Sequence, residues 1–358
     1  MKAIGICISG LEDIAIDEIK ELISTKATKI EEGRISFNFK NKKDLAKLVC
    51  YTRCLTKVYE LLVLVEDYEK DLTKIKLNHL IKNGTFAVRT EKINKDLDSR
   101  EIEREFGNLI NKDNKLKVNL EDPKTTIIVE IINNKCYIGI DYCGIRLNKR
   151  SYRIKTIASS LNGSIAYSLL KISKWKEKEV LLDPFCRDGI IIIEAALSAL
   201  KMPNQTNDKL LFNKFLKYNC KKPNKKLKLK IFASDSQMFN VRASEINSKI
   251  AGINKSLKFS RTPPDDLELK FKENSIDKIV TFIPHETKST LRDVKQELID
   301  FFYQSEYILK NKGTITLITL KPEETKDITK RYKLKLKMER KITHGDLNYS
   351  ILIFEKGF

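Results

Sequence analysis

The sequence predicts an α/β protein of two domains whose C-terminal half holds a nucleotide-like ligand at the strand ends of an open sheet. Three observations carry this. The apolar run 180–182 ends in Asp183; a tight turn, Gly189 and an Ala/Leu/Ile-rich helix over 190–200 containing Glu194 follow. A second unit repeats the pattern, with strand 231–235 ending in Asp235 and a helix over 241–251 stopped by Gly252. The chain has 358 residues, enough for two cores. In such units a glycine lets the backbone approach the ligand, the helix N-terminus offers unpaired N–H groups, and an acid closing the second strand holds two ribose hydroxyls.

Composition narrows the function classes. Lys and Arg number 68 against 48 Asp and Glu, a formal net charge of +20. That balance fits a polyanionic partner, with solvated surface charge as the bland alternative. No run of eighteen apolar residues exists, so no membrane span is expected, and the first residues lack the apolar core of a signal peptide. The seven cysteines are scattered without a Cys-x-x-Cys pair, which predicts no disulfide framework and a cytoplasmic protein. Cys50 and Cys54 are helically spaced with no histidine near, so a packed face is expected there rather than a metal site. His79, His285 and His344 stand apart, and no metal is expected.

The elements follow in order. Residues 1–65 read as a small α/β unit. Strand 3–9 is followed by a helix with acids in its first turn and an apolar face of Ile14, Ile16, Ile19, Leu22 and Ile23; then come strand 35–39, helix 44–50 and strand 53–65. In 66–143 a strand over 86–90 precedes a helix over 98–107, which Ser99 can cap. A strand and turn over 118–123 and a hairpin of 126–132 with 136–141 complete the unit. Residues 144–160 are a basic linker with Arg146, Lys149, Arg150, Tyr152 and Arg153. Such a stretch can grip a phosphate backbone or close as structure onto the next domain. From 161 to 358 an amphipathic helix (Leu161, Ile165, Leu169, Ile172, Trp175) leads into the two strand–acid–helix units. The lysine-rich loop 217–230, strand 276–282, helix 291–309, strand 313–320 and the pair 332–341 and 349–355 follow.

Several of these stretches resemble a known family. Gly10-Leu11-Glu12 with Arg53 resembles the ferredoxin-like domain that precedes THUMP domains, and 66–143 resembles a THUMP domain through its element order and Tyr137-Ile138-Gly139-Ile140-Asp141. Asp183-Pro184-Phe185-Cys186 with Gly189 and Glu194 resembles the S-adenosylmethionine loop of RNA base methyltransferases. The resemblance implies a THUMP-bearing class I RNA (guanine-N2) methyltransferase with a Rossmann-like, seven-stranded mixed sheet. It implies S-adenosyl-L-methionine as cofactor, held by Asp183, Phe185, Cys186, Asp188, Gly189, Ser234 and Asp235. It also implies tRNA or another structured RNA as partner, met by Arg89, Lys92, Arg146, Lys149, Arg150 and Arg153.

The chain departs from the family pattern where chemistry is expected. The family loop reads Gly-Ser where this chain has Arg187-Asp188. The family's fourth strand ends in Asn-or-Asp-Pro-Pro-Tyr, whose side chain and a carbonyl accept the amine hydrogens while the ring stacks on the flipped base. Here the residues are Phe282-Ile283-Pro284-His285, leaving Pro284 to shape the loop and His285 to stack, and the third strand's acid is absent near Arg261. Two readings follow: a guanosine-N2 methyltransferase acting on tRNA or rRNA, or a catalytically silent RNA-binding scaffold completed by a protein partner subunit. Thiouridine synthases and zinc deaminases fit less well, since the nucleotide loop of the first and the Cys-x-x-Cys of the second are not found.

Overall fold

The computed structural model of the chain describes all residues except 69–76, 78–80, 82–83, 92–93, 95, 113–115, 158–159, 206–209, 222–226, 286–292 and 358. Two compact units emerge. One comprises Met1–Ile6, Ile16–Leu147 and Gln205–Cys220; the other comprises Cys7–Ala15, Asn148–Asn204 and Lys221–Phe358.

The first unit is built on β1 (Lys2–Ile6), α1 (Glu12–Ile23, its first turn counted with the second unit), β2 (Ala27–Glu31), β3 (Arg34–Asn38), α2 (Lys42–Tyr51) and β4 (Lys57–Val65). It continues with β5 (Thr85–Thr90), α3 (Ser99–Asn111), β6 (Lys117–Val118), β7 (Thr125–Ile132) and β8 (Lys135–Asp141). The strands form one sheet in the order β2-β3-β1-β4-β8-β7-β5-β6. β4 pairs antiparallel with β8, so residues on both sides of position 65 share that sheet. β2 escapes sequence reading because its middle residues, Thr28 and Lys29, are polar and exposed. α3 buries Ile102, Phe106 and Ile110, a four-residue spacing that puts them on one face. Its cap is Asp98 rather than Ser99: the Asp98 carboxylate accepts from the N–H groups of Arg100 and Glu101. Under the sheet the charges are satisfied internally, since buried Glu130 accepts from Arg34 Nε at 2.8 Å and from Tyr59 Oη at 2.7 Å.

Cys50 on α2 and Cys220 form a disulfide, their Cα atoms 5.7 Å apart across 170 residues of sequence. This corrects the expectation of unpaired thiols. The pairing joins segments so distant in sequence that spacing gives no hint of it.

The second unit contains α4 (Gly163–Ile172), β9 (Leu181–Asp183), α5 (Ile190–Ala199), β10 (Ile231–Asp235), α6 (Met238–Ile250), β11 (Leu257–Arg261) and the short α7 (Leu267–Lys270). It ends with β12 (Ile276–Phe282), α8 (Val294–Ile308), β13 (Leu309–Thr319), α9 (Pro322–Thr329), β14 (Leu334–His344) and β15 (Leu347–Lys356). Asn162 caps α4 through its side chain, so that helix is shorter at both ends than its apolar stripe suggests. The sheet order is β11-β10-β9-β12-β13-β15-β14; the first five strands are parallel and β15 runs antiparallel to both neighbours. Strand order reverses between β9 and β12, so the crevice at their C-terminal ends is where an open α/β sheet receives its ligand. Successive residues of β9 feed opposite faces: Leu181 packs with Ile165, Leu169 and Ile192, Leu182 with Phe301, Ile315 and Leu317. Among the described residues no helix is long and apolar enough to cross a membrane.

Closing a loop of this length removes unfolded-state entropy worth up to about 5 kcal/mol in the chain-entropy model. Wild-type protein should therefore unfold at a clearly lower temperature with reductant than without, and Cys220→Ser should match the reduced wild type in both conditions. A wild-type midpoint insensitive to reductant would show that the cross-link contributes nothing.

Candidate active site

β9 delivers Asp183 to the crevice. Its carboxylate is buried, and Oδ1 accepts from Thr281 Oγ1 of β12 at 2.7 Å and from the Phe185 N–H at 3.2 Å. Burial raises its pKa from 3.8 to about 7, against the opposing pull of those two hydrogen bonds. The loop then turns through two left-handed residues, Arg187 (φ 49°) and Gly189 (φ 80°). Gly189 has no alternative: a Cβ there would lie 2.2 Å from Ser244 Oγ. Asp188 does not cap α5, which starts at Gly189 without a side-chain cap. Phe185 and Cys186 turn into the core, Phe185 edge-on to Phe301 with centroids 5.2 Å apart, so they offer the crevice main chain only. Burial pushes the Cys186 thiol well above its usual range.

β10 delivers Ser234 and Asp235. Asp235 Oδ1 accepts from the Gln237 N–H at 3.0 Å and Asn240 Nδ2 at 2.9 Å, while Oδ2 accepts from the Arg187 N–H at 3.1 Å. Three buried polar atoms around these strand ends have no partner among the described residues: Ser234 Oγ, Asn240 Oδ1 and Asp188 Oδ1. Unpaired buried polar atoms are rare in folded chains and mark the place of an absent ligand group or water. At the end of β11, Arg261 stands where an acid was sought, its Nε donating to the Ser236 carbonyl at 3.1 Å.

Arg187 dominates the end of β12. Its side chain is buried; Nη1 donates to the Phe282 carbonyl and Nη2 to the Ile283 carbonyl at 3.3 Å. The guanidinium lies over the Phe282 ring, 4.4 Å from its centroid. The left-handed backbone costs about 1–2 kcal/mol for a residue with a Cβ. Against that strain and the cost of burying the charge stand the two hydrogen bonds and the cation–π contact. Beyond it, His285 stacks on Phe282 (centroids 5.6 Å apart, 29° between planes) rather than standing alone. Burial first, then the Arg187 charge, hold the His285 imidazole below its usual pKa, and its Nδ1 has no partner among the described residues.

The basic linker divides. Arg150, expected to meet RNA, has a fully buried side chain: its Nε donates to Glu194 Oε1 at 2.9 Å, and Tyr152 Oη donates to the same oxygen at 2.6 Å. Arg153 is likewise turned inward, with Nε 2.5 Å from Asp188 Oδ2. The physical reason is shared: buried carboxylates on α5 and in the cofactor loop need cations, and the linker supplies them. Asn247 of α6 fastens the same stretch, accepting from the Ile154 and Lys155 N–H groups and donating to the Lys155 and Asp188 carbonyls. Lys149 remains exposed. In the first unit, Arg146 is half-exposed with Nη2 2.7 Å from Glu91, and Arg89 donates to the Leu120 carbonyl at 2.6 Å. Lys92, and Glu286 after the β12 loop, lie outside the described residues. Sequence reading missed Thr281, Asn240 and Asn247, and read Tyr152 as part of the RNA grip rather than as a donor to Glu194. A signal existed for two of them: Asn240, Ser244 and Asn247 form a buried polar stripe at helical spacing on α6.

Strand order, the two acids and the glycine turn define a class I methyltransferase unit. The chain belongs to the RMKL-like methyltransferase-domain family, whose model matches residues 150–350, and it carries a THUMP domain at residues 65–141. It is 30% identical to a tRNA (guanine(6)-N2)-methyltransferase of Methanocaldococcus jannaschii over 94% of this chain and 95% of that protein. A protein of the same description from Archaeoglobus fulgidus is 25% identical over 96% and 90%. Among solved structures, TrmN from Thermus thermophilus superposes with a TM-score of 0.76 at 19% identity, covering 99% of both chains.

The cofactor of this family, S-adenosyl-L-methionine, fits the residues present. Asp235, with the unpaired Ser234 Oγ, Asn240 Oδ1 and Asp188 Oδ1 around it, would be the group to hold its polar end. The fit predicts that Gly189→Ala, which must move Ser244 or the loop, weakens S-adenosylmethionine binding at least about tenfold in calorimetry. Unchanged affinity would separate the loop from the cofactor. A second prediction concerns pH. Because the Asp183 pKa is raised on folding, its stabilising contribution is complete below 3.8 and is lost as pH rises through about 7. Asp183→Asn should therefore flatten the fall in unfolding free energy between pH 4 and 7, a change on the order of 4 kcal/mol; an identical slope in the variant would refute the assignment.

Proposed function

We propose that this chain is a cytoplasmic S-adenosylmethionine-dependent RNA methyltransferase that methylates guanosine N2 in tRNA. The observation that carries the proposal is end-to-end similarity to tRNA guanine-N2 methyltransferases, supported by Asp183 and Asp235 at the ends of two adjacent strands with the Gly189 turn beside them. The bound cofactor supplies an electrophilic methyl group; the chain supplies position and proton management. Asp235 and the unpaired atoms beside it orient the adenosyl end. Pro284 shapes the loop after β12. His285, neutral at physiological pH, presents Nδ1 as acceptor for the proton that the amine must lose.

RNA is held chiefly by charge. The net charge of +20 and the exposed or half-exposed Arg89, Arg146 and Lys149 support a phosphate-directed contact, while Arg150 and Arg153 are committed to Glu194 and Asp188. Affinity for tRNA should fall steeply with salt, as counterion release requires, whereas Arg150→Ala should lower stability and cofactor affinity more than RNA affinity. A salt-independent affinity would remove the phosphate-directed reading.

The decisive experiment is calorimetry of S-adenosylmethionine on wild type and Asp235→Ala, followed by single-turnover transfer of labelled methyl to tRNA transcripts. The expected outcome is binding that the variant loses and N2-methylguanosine in digested tRNA. Binding without transfer to any tRNA would overturn the substrate assignment.

A further inference from the structure

An amine about to be methylated presents two N–H bonds. A site that orients it must offer two acceptors, so that the lone pair faces the methyl donor. At the end of β12 the inventory is short. The Phe282 side chain has no acceptor, the carbonyls of Phe282 and Ile283 both accept from the Arg187 guanidinium, and His285 Nδ1, assigned above to the departing proton, is a single further acceptor. A guanidinium only donates. With Arg187 in place, the two adjacent carbonyls that could orient the amine are engaged by a donor.

We infer that Arg187 is a specificity-determining residue of this site: its buried guanidinium, forked across the Phe282 and Ile283 carbonyls, takes one lone pair of each and stands in the approach to both, so that an amine pairs with them only when the guanidinium leaves. The inference rests on the proposed function. Three observations support it independently of one another. Arg187 holds a left-handed backbone at φ 49°, a conformation that residues with a Cβ rarely adopt. Its side chain is buried rather than solvated. It is gripped from two directions, by the two carbonyls and by the Phe282 ring, which itself stacks on His285. Once freed, the two consecutive carbonyls supply the acceptor pair that Phe282 cannot supply from its side chain. Glycine at this position accepts the same backbone and leaves both carbonyls open. Lysine keeps the charge but not the planar fork that spans two oxygens.

The test uses the full chain as wild type, Arg187→Gly and Arg187→Lys. Calorimetry with S-adenosylhomocysteine, single-turnover methyl transfer to tRNA and the thermal midpoint are measured on each. The expected result is transfer at least about tenfold faster in Arg187→Gly, with S-adenosylhomocysteine affinity changed less than about threefold and Arg187→Lys intermediate. A structural role would instead lower the midpoint, the affinity and the rate together. Transfer in Arg187→Gly equal to or slower than wild type overturns the inference. So does absence of transfer in both when both bind S-adenosylhomocysteine, because open carbonyls are then insufficient. Failure of the underlying function reads differently: neither protein binds S-adenosylhomocysteine, and the inference falls with it.

Discussion

The hydrogen bond from Thr281 to Asp183 ties together the two strands on either side of the sheet's reversal point, and the crevice depends on it. β9 is three residues long, and only its first two pair with β12. Its last residue is instead anchored sideways onto β12 by that bond and forward onto its own loop by the Phe185 N–H. A buried carboxyl with two donors sits between its charged and neutral forms near neutral pH, which is why the anchor is also the group that links this region to pH. From that fixed point the loop runs through two left-handed residues into α5, whose apolar run Ile190 to Ile193 seats the helix in the core.

The linker serves the same loop from the other side. Glu194 on α5 and Asp188 in the loop are both fully buried, and an unpaired buried carboxylate is strongly disfavoured. Arg150 with Tyr152 answers the first and Arg153 answers the second, while Asn247 pins the intervening backbone. Gly163 is required where Arg150 passes, since a Cβ would come within 2.6 Å of its Nε. The segment that looks most like an RNA grip in the sequence thus spends two of its arginines on holding the cofactor loop.

The strand ends at Asp183 and Asp235 and the turn at Gly189 were legible because a strand end and a forced left-handed turn leave marks within a few residues. The alternation of β9 and the apolar run of α5 were legible for the same reason. Arg150 was not, because a charge run reads as solvent-facing unless the buried carboxylate that claims it, 44 positions away, is known. The Cys50–Cys220 pair was hidden in the same way by its 170-residue separation. Phe282 was legible as a lost acceptor, but the sequence could not tell that the backbone acceptors beside it are also taken, because that follows from the reach of one side chain.

That reach explains why an arginine can occupy the loop at all. In the sheet β9 lies between β10 and β12, and adjacent strands stand about 4.8 Å apart. Arg187 follows β9 and connects outward in both directions: its N–H donates to Asp235 at the end of β10, and its guanidinium donates to the carbonyls at the end of β12. A shorter side chain at this position would make the first contact and not the second. The contacts at the two strand ends therefore belong to one residue, so any movement of the guanidinium off β12 pivots on a backbone that Asp235 still holds.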